Sequence, residues 1–439
     1  WTHARCTSFL LFTATRMKPS ASLSNSPETQ DSVQKKLTIL GSTGSIGLNT
    51  LDIIRQFPQK FRIEALSCRN SIESLSEQIK EFKPRLVCVD TAKQASELRE
   101  SFRNGNSDPE TEFVWGTEGL KQISSDPEVD LVVAGIVGAA GLEPTFAAVE
   151  AGKIVAVANK EPLVMAGELF IQTAKKTGAK LLPTDSEHNA IFQALHDEPP
   201  ERIARLILTA SGGPFRDLPL DEFEKITLAE ALNHPNWEMG RKITIDSATM
   251  MNKGLEIIEA HWLFNTPVDK IDVLMQRESI IHSMVEFIDG SFLAQMGLPD
   301  MRVPIAYCLG WPERLPLKIP RLDPVALNAL HFEAIDEQRF PCLPLSLKAA
   351  KQGGGAPAVL NGANEKVVAA FLNEEIRFVD IAKILASVMQ DLDETLQQTA
   401  QDSLADIPDF LLKIKTLEDA LQADQWGREQ AGKVLKHLH

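Results

Sequence analysis

The chain has 439 residues, 44% of them hydrophobic and 24% charged, and its formal net charge is −15. This composition is typical of a globular protein of roughly two to four domains. The acidic balance and the lack of a broad basic stripe argue against nucleic-acid binding, and no apolar run approaches the length of a membrane span. The five cysteines form no CxxC pair, which favours reduced thiols in a cytoplasmic compartment and argues against a zinc ribbon.

Residues 1–35 are predicted to be a disordered leader. The segment is rich in Ser, Pro, Asn and Gln, and it carries arginines but no acid before Glu28. Arginine without acids also fits a plastid-type transit peptide, so plastid targeting stays open beside a cytoplasmic location. The folded chain is expected to begin near Lys36.

A glycine-rich turn opens the folded chain. The apolar run 36–40 predicts a strand, residues 41–47 read GSTGSIG, and residues 48–57 follow a helical pattern. A strand, a glycine turn and a helix in this order are typical of dinucleotide binding, because the glycines admit a pyrophosphate and the helix N-terminus attracts its charge. The spacing is GxxGxxG instead of GxGxxG, so a plain strand–helix turn is the alternative.

The end of the second predicted strand, 61–67, indicates which dinucleotide binds. An NAD-dependent enzyme usually carries an acid there, which holds the ribose 2′-hydroxyl. Here the strand is followed by Cys68, Arg69 and Asn70. The Arg69 guanidinium can hold a 2′-phosphate bidentately, which favours NADP over NAD. A lone surface arginine is the alternative.

The alternation of strands and helices continues. Further apolar runs predict buried parallel strands at 85–89, 130–134, 153–157 and 179–182. Loop 135–141 follows one of these strands, and ligands of doubly wound sheets bind at the carboxyl ends of strands. We therefore predict one doubly wound, Rossmann-type domain over residues 36–185.

Two acids, Asp185 and Glu187, follow the last of these strands and are separated by Ser186. In an extended backbone, residues two apart face the same side, so both carboxylates would point to one place. A shared proton or a hard divalent cation stabilises such a pair. A solvated acidic turn is the alternative.

The central part of the chain predicts an α+β catalytic domain over residues 186–310. Runs 203–209 and 276–287 predict strands, and the Ser-Gly-Gly turn at 211–213 is a candidate phosphate cradle. His282 lies within the second run; an isolated strand histidine is more often structural, and a polar neighbour of the ligand is the alternative.

Residues 233–254 are dense in side chains that bind anions, with Trp237 and Met239 among them. We predict a lid loop over 233–242 that closes over a ligand and excludes water. An ordinary loop with a buried tryptophan is the alternative.

The remaining segments are predicted to be mainly helical. Glu256 and Glu259 would share one face of a helix over 255–264. Residues 311–335 are predicted to be a linker and residues 336–439 a C-terminal helical bundle.

Eight short motifs carry a resemblance to a known family. They are GSTGSIG at 41–47, NKE at 159–161, PTDSEH at 183–188, SGGP at 211–214, HPNW at 234–237, SATMMNKGLE at 247–256, IHSMV at 281–285 and PDMR at 299–302. In this order, from about Lys36 to about Gly432, the chain resembles the 1-deoxy-D-xylulose 5-phosphate reductoisomerase family. Cys68 departs from the small residue, often Gly, that is expected beside the NADP-binding Arg or Lys.

The resemblance implies a homodimeric enzyme that acts on a small phosphorylated sugar, with no nucleic-acid or membrane partner. It would convert 1-deoxy-D-xylulose 5-phosphate into 2-C-methyl-D-erythritol 4-phosphate with NADPH and Mg²⁺ or Mn²⁺. The carbon skeleton would rearrange by retro-aldol cleavage and re-addition, and the resulting aldehyde would take hydride. This is the committed step of non-mevalonate isoprenoid biosynthesis.

The resemblance also implies roles for residues. The metal ligands would be Asp185, Glu187 and Glu256, and the catalytic residues Lys160, Glu187 and His234. The substrate-binding residues would be Lys160, Ser186, Glu187, Ser211, His234, Trp237, Ser247, Asn252, Lys253 and Glu256, with Met239 beside Trp237. The NADPH-binding residues would be Thr43, Gly44, Ser45, Ile46, Cys68, Arg69, Asn70, Asn159, Glu161 and Gly240. His188 is read as structural, because an extended chain would point it away from the two acids.

Two other functions stay open on the residues alone. An NADP-dependent dehydrogenase of another small substrate, such as a semialdehyde, would account for residues 36–161 but not for the three spaced acids. A nucleotide-sensing module would bind NADPH without turning over a substrate.

Overall fold

The computed structural model describes residues 34–104, 110–195, 198–401 and 407–437. Almost all of the predicted leader therefore lies outside the described residues. The strands are β1 (Lys35–Leu40), β2 (Phe61–Ser67), β3 (Leu86–Val89), β4 (Glu112–Trp115), β5 (Leu131–Ala134), β6 (Ile154–Val157), β7 (Lys180–Pro183), β8 (Ile203–Ala210), β9 (Ile271–Gln276), β10 (Ile281–Phe287), β11 (Phe292–Met296) and β12 (Phe332–Ala334).

The helices connect these strands and make up most of the C-terminal region. They are α1 (Ser45–Gln56), α2 (Ile72–Phe82), α3 (Ala92–Asn104), α4 (Gly116–Ser125), α5 (Leu142–Glu150), α6 (Glu161–Thr177), α7 (Ser186–Leu195), α8 (Leu228–Ala231), α9 (Arg241–Ala248), α10 (Met251–Leu263), α11 (Arg302–Gly310), α12 (Cys342–Gln352), α13 (Ala356–Leu372), α14 (Phe378–Gln401), α15 (Asp409–Leu412) and α16 (Leu417–His437). Across the part of the chain that the structure describes, none of these helices is long and apolar enough to cross a membrane.

The first seven strands form one parallel sheet in the order β4-β3-β2-β1-β5-β6-β7. β3 and β5 are buried along their whole length, because helices cover both faces of the sheet. The strand order reverses between β1 and β5, and a reversal of this kind opens a crevice at the carboxyl ends of the strands. The predicted doubly wound fold is confirmed.

The glycine turn and loop 135–141 flank this crevice. Gly41 has a φ of +78°, which favours glycine. A Cβ on Gly47 would lie 2.4 Å from the backbone oxygen of Ser42. The turn can therefore fold back under the start of α1 only with glycine at both positions.

The second sheet has the order β11-β10-β8-β9-β12, and only its β8–β9 pair is parallel. Ile191 of α7 and Ile257 of α10 pack into the same apolar core as Leu206 of β8. This mixed α+β layer carries the loops and helices on which the predicted substrate residues lie.

The structure differs from the expected segments at three places in this region. The single strand over 276–287 is interrupted, because the Gln276 side chain accepts the backbone N–H groups of Ile280 and Ile281 and makes a turn there. The predicted lid loop ends earlier, since α9 begins at Arg241. The predicted linker contains β12, which pairs with β9.

The C-terminal helices form a tightly packed layer. A Cβ on Gly362 of α13 would lie 1.9 Å from the backbone oxygen of Asp424, and one on Gly427 of α16 would lie 2.1 Å from that of Val359. The two helices therefore touch backbone to backbone. Val359 also belongs to the apolar core that contains Phe170 of α6, so this helical layer packs against the first sheet and its helices.

Candidate active site

One cavity of about 460 Å³ runs along the carboxyl edge of the first sheet. The glycine turn lies after β1 and Asp185 lies after β7, three strands further along the sheet. At a strand spacing of about 4.8 Å, these two places are about 14 Å apart. The cavity is lined at both, and also by α9, α10 and the turn at 211–213. It is long enough to hold a nucleotide and a small substrate side by side.

Three carboxylates converge at the β7 end. Oxygens of Asp185, Glu187 and Glu256 lie within 4.8 Å of one another. The extended backbone expected for this stretch was wrong, because α7 begins at Ser186 and places Glu187 in its first turn. An acid in the first turn is favoured by the helix dipole. Glu256 completes the cluster from α10, so the site joins two parts of the chain.

Two lysines lie among these acids. The Lys160 ammonium is 2.6 Å from Asp185 Oδ2 and 3.1 Å from Glu256 Oε1. The Lys253 ammonium is 2.8 Å from Glu187 Oε1 and also contacts Glu256. Lys160 is only 5% exposed and Glu256 is fully buried. The Glu256 side of the cluster is therefore shielded from solvent, whereas Asp185 and Glu187 are partly exposed, and three carboxylates share two ammonium groups.

The protonation of the cluster follows from this arrangement. Burial raises the pKa of Glu256 to about 7, and the neighbouring Glu187 carboxylate acts in the same direction. Burial also opposes the charge of Lys160, but Asp185 and Glu256 outweigh it and raise the pKa of Lys160 above its ordinary value. Carboxylate oxygens at these separations are the hard ligand set that Mg²⁺ or Mn²⁺ prefers. The residues present therefore fit the expected metal.

His188 lies beneath the acids. The expectation that it points away from Asp185 was wrong, because three residues along a helix return to the same face. His188 Nδ1 is 3.9 Å from Asp185 Oδ2, and Nε2 is 2.8 Å from the backbone oxygen of Glu256. Glu259 Oε2 is 3.6 Å from Nε2. The imidazole thus ties together the two helices that supply the acids.

His234 organises the start of the loop that precedes α9. Its Nδ1 accepts the backbone N–H groups of Asn236 at 3.2 Å and Trp237 at 3.0 Å. Nε2 must then carry the proton of the neutral ring, and it donates to Ser211 Oγ at 2.9 Å. Burial and the Arg216 charge lower the pKa of His234 to about 4. At neutral pH the ring is an uncharged donor to the Ser-Gly-Gly turn.

The predicted substrate residues all line this one cavity. They are Lys160, Ser186, Glu187, Ser211, His234, Trp237, Ser247, Asn252, Lys253 and Glu256, together with Met239. His282, which was read as structural, lines it too, with its ring centroid 6.2 Å from that of Trp237. Met250 joins α9 to α10 with a φ of +61°, a strained conformation of the kind found at functional sites.

The predicted NADPH residues divide into two groups. Those that line the cavity are Gly44, Ser45, Ile46, Asn159, Glu161 and Gly240. Those outside its lining are Thr43, Cys68, Arg69 and Asn70. Thr43 Oγ1 is 3.2 Å from Cys68 Sγ, and the Arg69 side chain is 75% exposed with its Nε 3.8 Å from Asp90. This second group lies at the ends of β1 and β2, where Arg69 and Asn70 are exposed, and we call it the shelf.

Sequence reasoning missed a pair of ion pairs that joins α9 to α6. Lys242 was grouped with the anion-binding side chains, but its ammonium is 2.8 Å from Glu161 and 2.9 Å from Asp246. Asp246 also accepts Asn364 Nδ2 at 2.8 Å. The spacing of Lys242 and Asp246 by four residues is a helical signal that was available. The pair with Glu161 joins distant segments and has no local signal.

Known proteins match this chain along most of its length. The protein-family model described as 1-deoxy-D-xylulose 5-phosphate reductoisomerase matches residues 37–167. Two further family models, of C-terminal domains of the same enzyme, match residues 181–264 and 296–430. The reductoisomerase of Chlorobaculum tepidum is 51% identical over 401 residues, which cover 91% of this chain and 100% of that protein. The one from a Synechococcus strain is 48% identical over 398 residues, which cover 91% and 97%.

Solved structures agree. A reductoisomerase in complex with NADPH, fosmidomycin and magnesium has a TM-score of 0.84 at 45% identity and covers 92% of this chain and 99% of its own. The Zymomonas mobilis enzyme in complex with NADPH has a TM-score of 0.81 at 41% identity and the same coverage. The segments matched by the family models include the first sheet and the C-terminal helices. The chain therefore belongs to the 1-deoxy-D-xylulose 5-phosphate reductoisomerase family.

Proposed function

We propose that this cavity carries the family's reaction, the NADPH- and divalent-metal-dependent conversion of 1-deoxy-D-xylulose 5-phosphate to 2-C-methyl-D-erythritol 4-phosphate in non-mevalonate isoprenoid biosynthesis. One observation carries the proposal. Three carboxylates within 4.8 Å of one another share a cavity with the glycine turn of a doubly wound sheet. A rearrangement through charged oxygens followed by hydride transfer needs both parts in one enclosed space.

Asp185, Glu187 and Glu256 would hold Mg²⁺ or Mn²⁺. When bound, the ion supplies Lewis-acid stabilisation of the negative charge that develops on substrate oxygens during carbon–carbon cleavage and re-addition. NADPH, when bound, supplies the hydride that the rearranged aldehyde accepts. The third acid comes from α10, so assembly of the metal site depends on the packing of α7 against α10.

Lys160 and Glu187 are the proposed catalytic groups. Lys160 donates to Asn252 Oδ1 at 2.7 Å as well as contacting the acids, so its ammonium is held where it can orient the substrate and offset enolate charge. Glu187 accepts the Ser186 hydroxyl at 2.6 Å and lies beside the Lys253 ammonium. These two donors fix the orientation of its carboxylate, as a group that removes and returns a substrate proton requires.

The substrate phosphate is proposed to bind at the turn after β8 and the start of α10. Its donors would be Ser211, Ser247, Asn252, Lys253 and His234. We infer that His234, proposed as catalytic on the resemblance, acts by donating its Nε2 hydrogen and by fixing the backbone of Asn236 and Trp237. Trp237 and Met239 would cover the substrate and exclude water when the lid closes.

NADPH is proposed to bind across the crevice where the strand order reverses, between β1 and β5. Thr43 to Ile46 would hold the pyrophosphate at the N-terminus of α1, and Asn159, Glu161 and Gly240 would line the nicotinamide side. Arg69 would hold the 2′-phosphate, because its exposed guanidinium lies on the shelf formed by Cys68 and Asn70. The main chain of Cys68 would serve in place of the glycine that is often found there.

We further propose a cytoplasmic homodimer. The edge strand β11 exposes Phe292 and Leu293, at 49% and 50%, and an exposed apolar edge strand favours pairing with a second chain. The mass in solution of wild type and Leu293→Lys tests the dimer. A fluorescent fusion with and without residues 1–35 tests location, and plastid import by that segment would overturn the cytoplasmic assignment.

The reaction is tested by following NADPH absorbance after 1-deoxy-D-xylulose 5-phosphate and Mg²⁺ are added. We expect loss of absorbance that EDTA abolishes and excess Mg²⁺ or Mn²⁺ restores. Full activity in EDTA would favour a metal-independent dehydrogenase. NADPH binding by folded protein without turnover would favour a nucleotide-sensing module. Either result overturns the proposal.

A further inference from the structure

The loop after β5, residues 135–141, forms a wall of the cavity at the switch point. Gly135 and Val137 line the cavity. A Cβ on Gly135 would lie 3.0 Å from the backbone oxygen of Leu40 and 3.4 Å from Ile46 Cβ, so the loop is in contact with the glycine turn and the start of α1. A shift of this loop would move the surfaces on which a dinucleotide rests.

This loop has one internal hydrogen bond, from the Gly141 N–H to the Gly138 oxygen at 3.1 Å, and around Gly138 it is otherwise held by side chains from two sides. Gly138 has φ +77° and ψ −167°, a region that is essentially restricted to glycine. From one side, Asn159 Nδ2 donates to the Gly138 oxygen at 2.9 Å. From the other side, Glu365 Oε1 accepts the Ala139 N–H at 3.2 Å. A Cβ on Gly138 would lie 2.8 Å from Glu365 Oε1, so the carboxylate fits directly against the strained residue.

Glu365 belongs to α13, and its own position is fixed from α16. Arg428 donates to Glu365 Oε2 at 2.6 Å and to Asp424 Oδ2 at 2.6 Å. Asn361 Nδ2 donates to Asp424 Oδ1 at 2.9 Å. Since α13 and α16 touch backbone to backbone at Gly362 and Gly427, these groups sit on a rigid support.

We propose that Glu365 is a positioning residue for the dinucleotide. It fixes loop 135–141 through the Ala139 N–H, with Arg428 as its anchor, and it thereby sets the affinity for NADPH from the C-terminal helices. The inference rests on the proposed function only in naming NADPH as the nucleotide. The structural alternative is that the Glu365–Arg428 pair does no more than join α13 to α16.

The test measures NADPH binding directly, by fluorescence titration without sugar phosphate. Glu365→Ala removes the acceptor and is expected to raise the NADPH dissociation constant roughly five- to tenfold, on the scale of one hydrogen bond to a charged group. Glu365→Gln keeps an acceptor for Ala139 and should stay within about twofold of wild type. Arg428→Met keeps Glu365 but leaves it anchored only by the long contact from Asn361 Nδ2 at 3.5 Å, and should raise the constant about threefold.

Glu429→Ala is the matched control, because Glu429 is exposed on α16 beside Arg428. It should bind NADPH as wild type does. The Michaelis constant for the sugar phosphate at saturating NADPH should change less than about twofold in all four variants, since Glu365 does not line the cavity.

Several outcomes overturn the inference. The first is that Glu365→Ala binds NADPH as tightly as wild type, whatever its melting temperature. The second is that the control Glu429→Ala loses as much affinity as Glu365→Ala. The third is that Glu365→Gln loses as much affinity as Glu365→Ala. If Glu365→Ala does not fold, wild-type NADPH affinity in Arg428→Met overturns it. Because no turnover is measured in the titration, a wild type that binds NADPH but leaves the sugar phosphate unchanged refutes the proposed function alone.

Discussion

The two ends of the cavity are built in opposite ways. At the β7 end, Lys160 and Glu256 are almost completely buried, and each contacts an opposite charge within hydrogen-bonding distance. Next to the β1 end, just outside the cavity's lining, the Arg69 side chain is 75% exposed and its Nε lies 3.8 Å from Asp90. The first end is pre-assembled in a low-dielectric pocket, whereas the second is an open shelf of backbone turns.

The difference matches two different tasks. Charge that develops on a substrate oxygen is stabilised best by groups that are already oriented and shielded from water. A cofactor that enters and leaves at each turnover needs an accessible surface. An exposed guanidinium there keeps its hydration, so it has little desolvation cost. Substitutions at the buried end should therefore affect the rate of the chemical step, and those at the open end should affect nucleotide affinity.

The largest expected effect is at the buried end. Glu256→Gln should lower kcat by at least about a thousandfold, because it removes one of three anionic metal ligands. The dissociation constant for NADPH should change less than about twofold, because Glu256 lies at the opposite end of the cavity. Steady-state kinetics and fluorescence titration measure the two quantities.

Glu286→Gln is the matched control, since this acid pairs with Arg205 outside the cavity. It should retain wild-type kinetics. A joint loss of turnover and NADPH binding in Glu256→Gln would indicate misfolding, and it would remove the proposed separation between the two ends.

The next prediction concerns Lys242, whose ion pairs join α9 to α6. Lys242→Met would leave Glu161 and Asp246 buried without their shared cation, and we expect it to lower the free energy of unfolding by about 3 kcal/mol. Urea unfolding measures this change. Lys366→Met makes the same substitution at an exposed position of α13 and should stay within about 0.5 kcal/mol of wild type. Equal stability of the two variants would mean that the Lys242 ion pairs contribute nothing.

At the open end, Arg69→Asp should shift the cofactor preference toward NADH. We expect the Michaelis constant for NADPH to rise about ten- to a hundredfold with kcat little changed, because a bidentate contact with the 2′-phosphate is replaced by repulsion. Lys93→Asp makes the same change of charge on the neighbouring α3 and controls for general electrostatics. If both variants lose NADPH affinity equally, Arg69 has no specific role in 2′-phosphate recognition.

The sequence predicted local features well and non-local ones poorly. The glycine turn, the apolar strands and the position of Asp185 and Glu187 follow from short patterns, since neighbours in the chain determine them. Glu256 is far from the other two acids in the chain, and only the resemblance to the family predicted that it joins them. The Lys242–Glu161 pair had no such signal, because it depends on how α9 packs against α6.

Backbone conformation explains the other misses. An extended chain was assumed at Asp185, but the helix begins at Ser186 and places His188 under the acids. The turn between β9 and β10 depends on one buried side chain, Gln276, which no periodicity identifies. Where one side chain replaces a regular hydrogen-bond pattern, a sequence pattern has nothing to detect.

The smallest expected effect concerns pH and stability at His234, which lies between the two ends. Its pKa in the folded protein is about 4, below the ordinary 6.5. Between these values the unfolded state binds more protons, so the stability from the neutral ring is complete above about pH 6.5 and is lost as pH falls toward 4. Protonation would also place a hydrogen on Nδ1, which accepts the Asn236 and Trp237 N–H groups.

We therefore expect the stability difference between wild type and His234→Gln to shrink by roughly 1 kcal/mol between pH 7.5 and pH 5, after discounting for partial exposure. Urea unfolding at the two pH values measures it, and His437→Gln, at an exposed histidine near the end of α16, controls for general effects of removing a histidine. A difference that stays constant would mean that the ring is free to charge in the folded state. His234 would then belong to the open, solvated part of the cavity, and its fixed orientation toward Ser211 would have to be abandoned.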